Sequence, residues 1–89
     1  MTVEYESICE KLMHDCLKME DTAAIKAGYE ALKDFSEDDI LFKCDLAVGE
    51  CIRAHAILRM LGEYFEAKGR ERASIKEDIM YAARDFFDY

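Results

Sequence analysis

The residues best equipped for chemistry in this chain are four cysteines and two histidines. The cysteines sit in two stretches that echo each other, ICEKLMHDCLK from Ile8 to Lys18 and KCDLAVGECIR from Lys43 to Arg53. In each stretch the two cysteines are seven residues apart, and the second is followed by an aliphatic residue and a base. Cysteine thiolates bind zinc, exchange disulfides and attack electrophiles. Seven residues is nearly two helical turns, so each pair shares one helix face about 10 Å apart along the axis. That span is too long for two Zn–S bonds of about 2.3 Å. It also exceeds the roughly 7 Å Cα separation that a disulfide tolerates. A site would need cysteines from two helices. If the first and third helices ran parallel, Cys9 could face Cys44 and Cys16 could face Cys51, with His55 one turn beyond. The close CxxC pairs of zinc sites are missing. The simpler expectation is that all four are small apolar core side chains.

The other chemical groups carry weaker signals. His55 lies on an apolar stripe and is expected to be a hydrogen-bonded core residue. His14 neighbours Asp15 on the polar face and is given no role. A di-iron bundle needs Glu-x-x-His motifs, and neither Glu10/His14 nor Glu50/His55 has that spacing. There is no Gly-x-Ser-x-Gly elbow and no glycine-rich phosphate loop. The basic cluster KGRER, Lys68 to Arg72, reads as a solvated helix end and loop. The ending DFFDY reads as a docking tail or simply a packed last turn. No enzymatic activity and no cofactor are expected.

The elements that would position these groups are helices throughout. There is no proline, the four glycines are isolated, and no run alternates in the way a strand would. The first helix is expected over Val3 to Met19, with Tyr5, Ile8, Cys9, Leu12, Cys16 and Met19 at three- and four-residue steps. Asp21 is the expected N-cap of a second helix reaching about Phe35. Ser36 is the next N-cap candidate, and Glu37, Asp38 and Asp39 suit the positive end of a helix dipole. A long third helix is expected from Glu37 to Lys68, about 48 Å at 1.5 Å per residue, with Gly69 as its C-cap. Its first half puts Leu41, Cys44, Val48, Cys51, Ile52 and His55 on one face. Its second half puts Ile57, Met60, Leu61, Tyr64 and Phe65 on another, well round the helix from the first. The offset implies a bend near Gly49 or Gly62, or different neighbours for the two halves. Ser74 and Glu77 read as a capping box opening a last helix from Ile75 to Phe87. Its apolar stripe would be Ile75, Ile79, Ala82, Ala83 and Phe86, widened by Met80 and Phe87. Three pairs, Cys9/Cys44, Cys16/Cys51 and Tyr29/Tyr64, are each thirty-five residues apart. That period suits helical hairpin repeats, but no repeat family is assigned on it.

Composition bounds the function. The chain has 89 residues, which suits one helical domain over residues 1–89 near the small end of what folds alone. The fold class expected is all-α, a small bundle of four helices. No apolar run approaches the roughly 18 residues of a membrane span. The start MTVEYESICEK lacks a basic and apolar leader. A cytoplasmic location is expected, where structural disulfides are rare. The formal charge is −8, which disfavours direct binding to nucleic acid. Charge is unevenly divided. Before Arg53 there are thirteen acids and five lysines, a net −8; from Arg53 onward there are seven of each sign.

The expected function is a non-enzymatic protein-interaction module. Its acidic helical face would comprise Glu4, Glu6, Glu10, Asp15, Glu20, Glu30, Asp34, Glu37, Asp38 and Asp39. The partner would be a protein with a basic surface. The face could occupy a nucleic-acid channel and act as an inhibitor or adaptor, as phage-encoded anti-defence proteins can. A homodimer is also expected, because the second half of the third helix carries more apolar surface than a small chain readily covers. Two alternatives stand beside this reading. One is a metal- or ligand-binding helical domain using the Cys/His cluster. The other is a structural subunit of a larger assembly.

Overall fold

The computed structural model of the chain describes residues 2–34 and 48–87, with side chains at 7–34, 49–50 and 52–87. It is an all-α fold, a small four-helix bundle: α1 (Thr2–Cys16), α2 (Thr22–Leu32), α3 (Val48–Glu66) and α4 (Gly69–Phe87), with no strand among the described residues. Each helix packs against the next, and α4 closes back on α1. Among the described residues no helix is long and apolar enough to cross a membrane.

The first hairpin follows the expected capping chemistry. The side chain of Asp21 accepts a hydrogen bond from the Ala24 N–H at 3.0 Å, satisfying one of the orphan amides at the start of α2. α1 stops at Cys16, three residues short of Met19. The chain turns there because the Leu17 N–H donates to the His14 carbonyl and the Met19 N–H donates to the Asp15 carbonyl, both at 3.1 Å. Met19 has a left-handed φ of 54°, a conformation that costs a non-glycine residue roughly 1 kcal/mol. Its side chain is nevertheless buried. The helical periodicity therefore extends past the helix itself. α2 ends at Leu32, with the Lys33 N–H donating to the Tyr29 carbonyl at 2.8 Å.

The core is made of Cys9, Leu12, Met13 and Cys16 from α1, Ile25 and Leu32 from α2, Ala54, Ile57, Leu58, Leu61 and Tyr64 from α3, and Ile79, Ala83 and Phe86 from α4, with Met19 from the first connection. The first hairpin closes tightly at a glycine. A Cβ on Gly28 would stand 3.0 Å from the Leu12 Cδ1, so the missing side chain lets α2 settle onto α1.

Three expectations about the second hairpin are corrected. First, α3 is continuous across Gly62, from Val48 to Glu66. Its buried stripe is Ala54, Ile57, Leu58, Leu61 and Tyr64, spaced as a single helical face, whereas Ile52 is 48% exposed and His55 only half-buried. Ile52 and His55 thus lie off the buried stripe and Ala54 lies on it, while the side chains of Leu41, Cys44, Val48 and Cys51, the rest of the expected first face, lie outside the described residues. Residues 35–47 lie outside the described residues, and with them Phe35, Ser36, Glu37, Asp38, Asp39, Leu41 and Cys44. Second, α4 begins at Gly69, not Ile75. Gly69 has a φ of +63°, which turns the chain directly from α3 into α4 across Ala67 and Lys68. The KGRER segment is thus mostly the first turn of a helix. Ser74 lies inside that helix, where it has no start to cap. Third, Phe87 is 45% exposed and does not widen the core. The stripe of Ile79, Ala83 and Phe86 is buried, and Ile75, Met80 and Ala82 pack against it.

Candidate functional site

Two regions of the surface could engage another molecule, and they differ in sign. The acidic one draws on α1, α2 and their connection. Glu10, Glu20, Glu30 and Asp34 are exposed, and Asp15 is half-buried. Two of these acids are tied to lysines one turn away. The Lys11 Nζ lies 2.9 Å from the Asp15 Oδ2, and the Lys33 Nζ lies 2.7 Å from the Glu30 Oε2. The second bond lowers the Glu30 carboxyl below its usual range and raises the Lys33 ammonium, the hydrogen bond being the main cause in both. Glu4 and Glu6 stand in α1, and Glu37, Asp38 and Asp39 lie outside the described residues.

The second region is basic and concave. Tyr29 and Lys33, one turn apart on α2, meet His55 and Arg59, one turn apart on α3, around a cavity of about 150 Å³ with Leu58 also in its wall. Tyr29 is set in place from two sides. Its ring packs on Phe65 at a centroid distance of 5.5 Å, and its hydroxyl lies over Gly62, where a Cβ would be only 2.9 Å away. Phe65 in turn packs edge-on to Tyr64 at 5.4 Å. The two tyrosines spaced thirty-five apart thus meet on one phenylalanine. Cations cap this aromatic cluster: the Arg72 guanidinium stands 4.5 Å from the Tyr64 ring centre and Lys26 Nζ 5.6 Å from that of Phe65. Such contacts contribute about 0.5–1 kcal/mol at exposed sites.

The Cys/His cluster is not assembled among the described residues. Cys9 and Cys16 are fully buried in the α1 face of the core, while His55 opens onto the cavity between α2 and α3. Among the described residues the main neighbours of α1 are α2 and α4 rather than α3. Cys44 and the side chain of Cys51 lie outside the described residues. Among the described residues no group of three His, Cys, Asp or Glu could hold a metal ion. Burial pushes the Cys16 thiol up to about 12, with the Asp15 charge adding to the rise. A thiol in that state is a poor nucleophile and a poor ligand. His14, on the exposed side of α1, meets the Phe87 ring edge-on at 6.5 Å.

The sequence reading missed the basic cavity. The signal was present as two pairs at four-residue spacing, Tyr29/Lys33 and His55/Arg59. Nothing in the sequence says that these two helix faces meet. No family model matches the chain, and neither a curated protein nor a solved structure matches it.

Proposed function

We propose that the chain is a cytoplasmic, non-enzymatic interaction module that docks its acidic first hairpin on a basic protein surface, such as that of a nucleic-acid-binding protein, and thereby inhibits or adapts it. The observation that carries this reading is the division of charge. Residues 2–34 hold eight acids against four lysines, while everything from Arg53 onward is balanced at seven of each sign. The exposure of Glu10, Glu20, Glu30 and Asp34 supports it, since a field acts on a partner only from the surface.

The motive for a homodimer weakens. On the apolar face of α3 that called for a second copy, Ile57, Leu61 and Tyr64 are buried within the chain, while Met60 and Phe65 are half-buried. Among the described residues the exposed large apolar side chains are Ile52, Tyr81 and Phe87, and scattered ones are normal on a monomer.

The test is capture of basic proteins at low salt, followed by affinity measurements on the purified pair. Affinity should fall steeply between about 10 mM and about 1 M salt, over which the Debye length drops from roughly 30 Å to roughly 3 Å. Binding that ignores salt would contradict the proposal.

A further inference from the structure

The cavity between α2 and α3 has a composition at odds with the chain around it. The protein carries a formal charge of −8, yet among the described residues no acid lines this cavity. Its wall holds an arginine, a lysine, a histidine and a tyrosine, together with Leu58. Four side chains able to donate hydrogen bonds converge there. A guanidinium offers two parallel N–H groups to an oxyanion, and an ammonium adds a compact charge. Tyr29 is preorganised by its contacts with Phe65 and Gly62, so little freedom remains for it to lose on binding. The size is selective as well. About 150 Å³ is well under the roughly 300–1,000 Å³ of pockets that enclose drug-sized ligands. It is comparable to an engineered cavity that holds one benzene.

We infer that this cavity binds one small oxyanion of the phosphate class, held by Arg59 and Lys33 and oriented by His55 and Tyr29. The ion is inorganic phosphate, or the terminal group of a small phosphate monoester whose remainder stays outside. The site touches the proposed partner-binding surface only through Glu30, and either reading can fail without the other. Glu30 is its internal competitor, because its carboxylate already holds the Lys33 ammonium at 2.7 Å. Arrival of the ion would draw Lys33 away from Glu30.

The experiment is an NMR titration of the full chain with inorganic phosphate, run at constant ionic strength against chloride. Saturable shifts are expected at Tyr29, Lys33, His55 and Arg59. Arg59→Gln should weaken binding at least about tenfold, as loss of a hydrogen bond to a charged group would, and Lys33→Gln should do the same. Glu30→Gln should tighten it. Arg59, Lys33 and Glu30 are all exposed, so unchanged thermal unfolding is expected to accompany each change in affinity. A parallel titration with glycerol phosphate separates the two sources: tighter binding than phosphate assigns the monoester, and equal or weaker binding assigns the free ion. Shifts that chloride reproduces, or that never saturate, would overturn the inference. So would wild-type affinity in both Arg59→Gln and Lys33→Gln.

Discussion

The hydroxyl of Tyr29 lies over Gly62, at 2.9 Å from where a Cβ would stand on that residue. Gly62 therefore marks a close approach of α2 to α3 and not a hinge. The relationship sets up a glycine series. Alanine at a helix-interior glycine normally gains about 1 kcal/mol. At Gly49 nothing among the described residues lies within 4 Å, so Gly49→Ala should stabilise by up to about that amount. At Gly28 the new methyl would press on three atoms of the buried Leu12 side chain. Overpacking of this kind costs about 1–3 kcal/mol, so Gly28→Ala should be destabilising overall. Gly62→Ala should fall between them, because the new methyl would press closely on only the hydroxyl end of the half-buried Tyr29 side chain. Denaturant melts of the three variants check the order. Gly28→Ala more stable than Gly49→Ala would contradict the packing described.

The Cys16 thiol gives a pH signature. Its value is raised from 9.0 to about 12 in the folded chain. The folded state therefore keeps its proton while the unfolded state loses it. Stability from this group is complete below about pH 9 and declines as pH rises toward 12. The slope is about 1.4 kcal/mol per pH unit. Cys16→Ala should be less stable at neutral pH but show a shallower alkaline decline. Pulsed alkylation near neutrality, read by peptide mapping, should leave Cys16 unmodified until denaturant is added. Modification of Cys16 in the native chain at the rate of an exposed thiol would contradict its burial.

Helix starts can be compared directly. Asp21→Ala removes an observed cap and should cost about 1 kcal/mol. Ser74→Ala removes a residue that resembles a cap but stands within α4, and should be close to neutral. Thermal melts of the two variants distinguish these cases. A large loss at Ser74 would place a helix boundary there after all.

Arg72 should contribute through the face of Tyr64. Arg72→Gln is expected to cost about 0.5–1 kcal/mol, with little further loss when combined with Tyr64→Leu. Fully additive losses in that double-mutant cycle would mean the two side chains act separately.

Much of the fold is legible in the sequence, for identifiable reasons. Cys9, Leu12, Cys16 and Ile25 sit at helical spacing beside an unambiguous N-cap at Asp21, and local chemistry suffices there. The errors occur where tertiary contact decides. Ala54 enters the core while the larger Ile52 stays 48% exposed, because position on the packed face outweighs side-chain size. KGRER looks like a loop on composition, but Arg72 lies against Tyr64 and the segment is helix. The cysteines were rightly expected to be core on α1. The acids were identifiable as charges but not as a surface, since the ion pairs Lys11–Asp15 and Lys33–Glu30 depend on rotamers. The cavity could not be read at all, because it exists only where α2 meets α3.

The most direct test of the central claim compares three forms of the chain against one purified basic partner: wild type, the charge-reversed Glu10→Lys/Glu20→Lys variant, and Cys16→Ala. Each affinity is measured at low and high salt. The account predicts that wild type binds with a steep salt dependence, that charge reversal abolishes binding while the fold persists, and that Cys16→Ala binds like wild type despite lower stability. Charge-reversed protein that binds as tightly as wild type, with the same salt dependence, would contradict it.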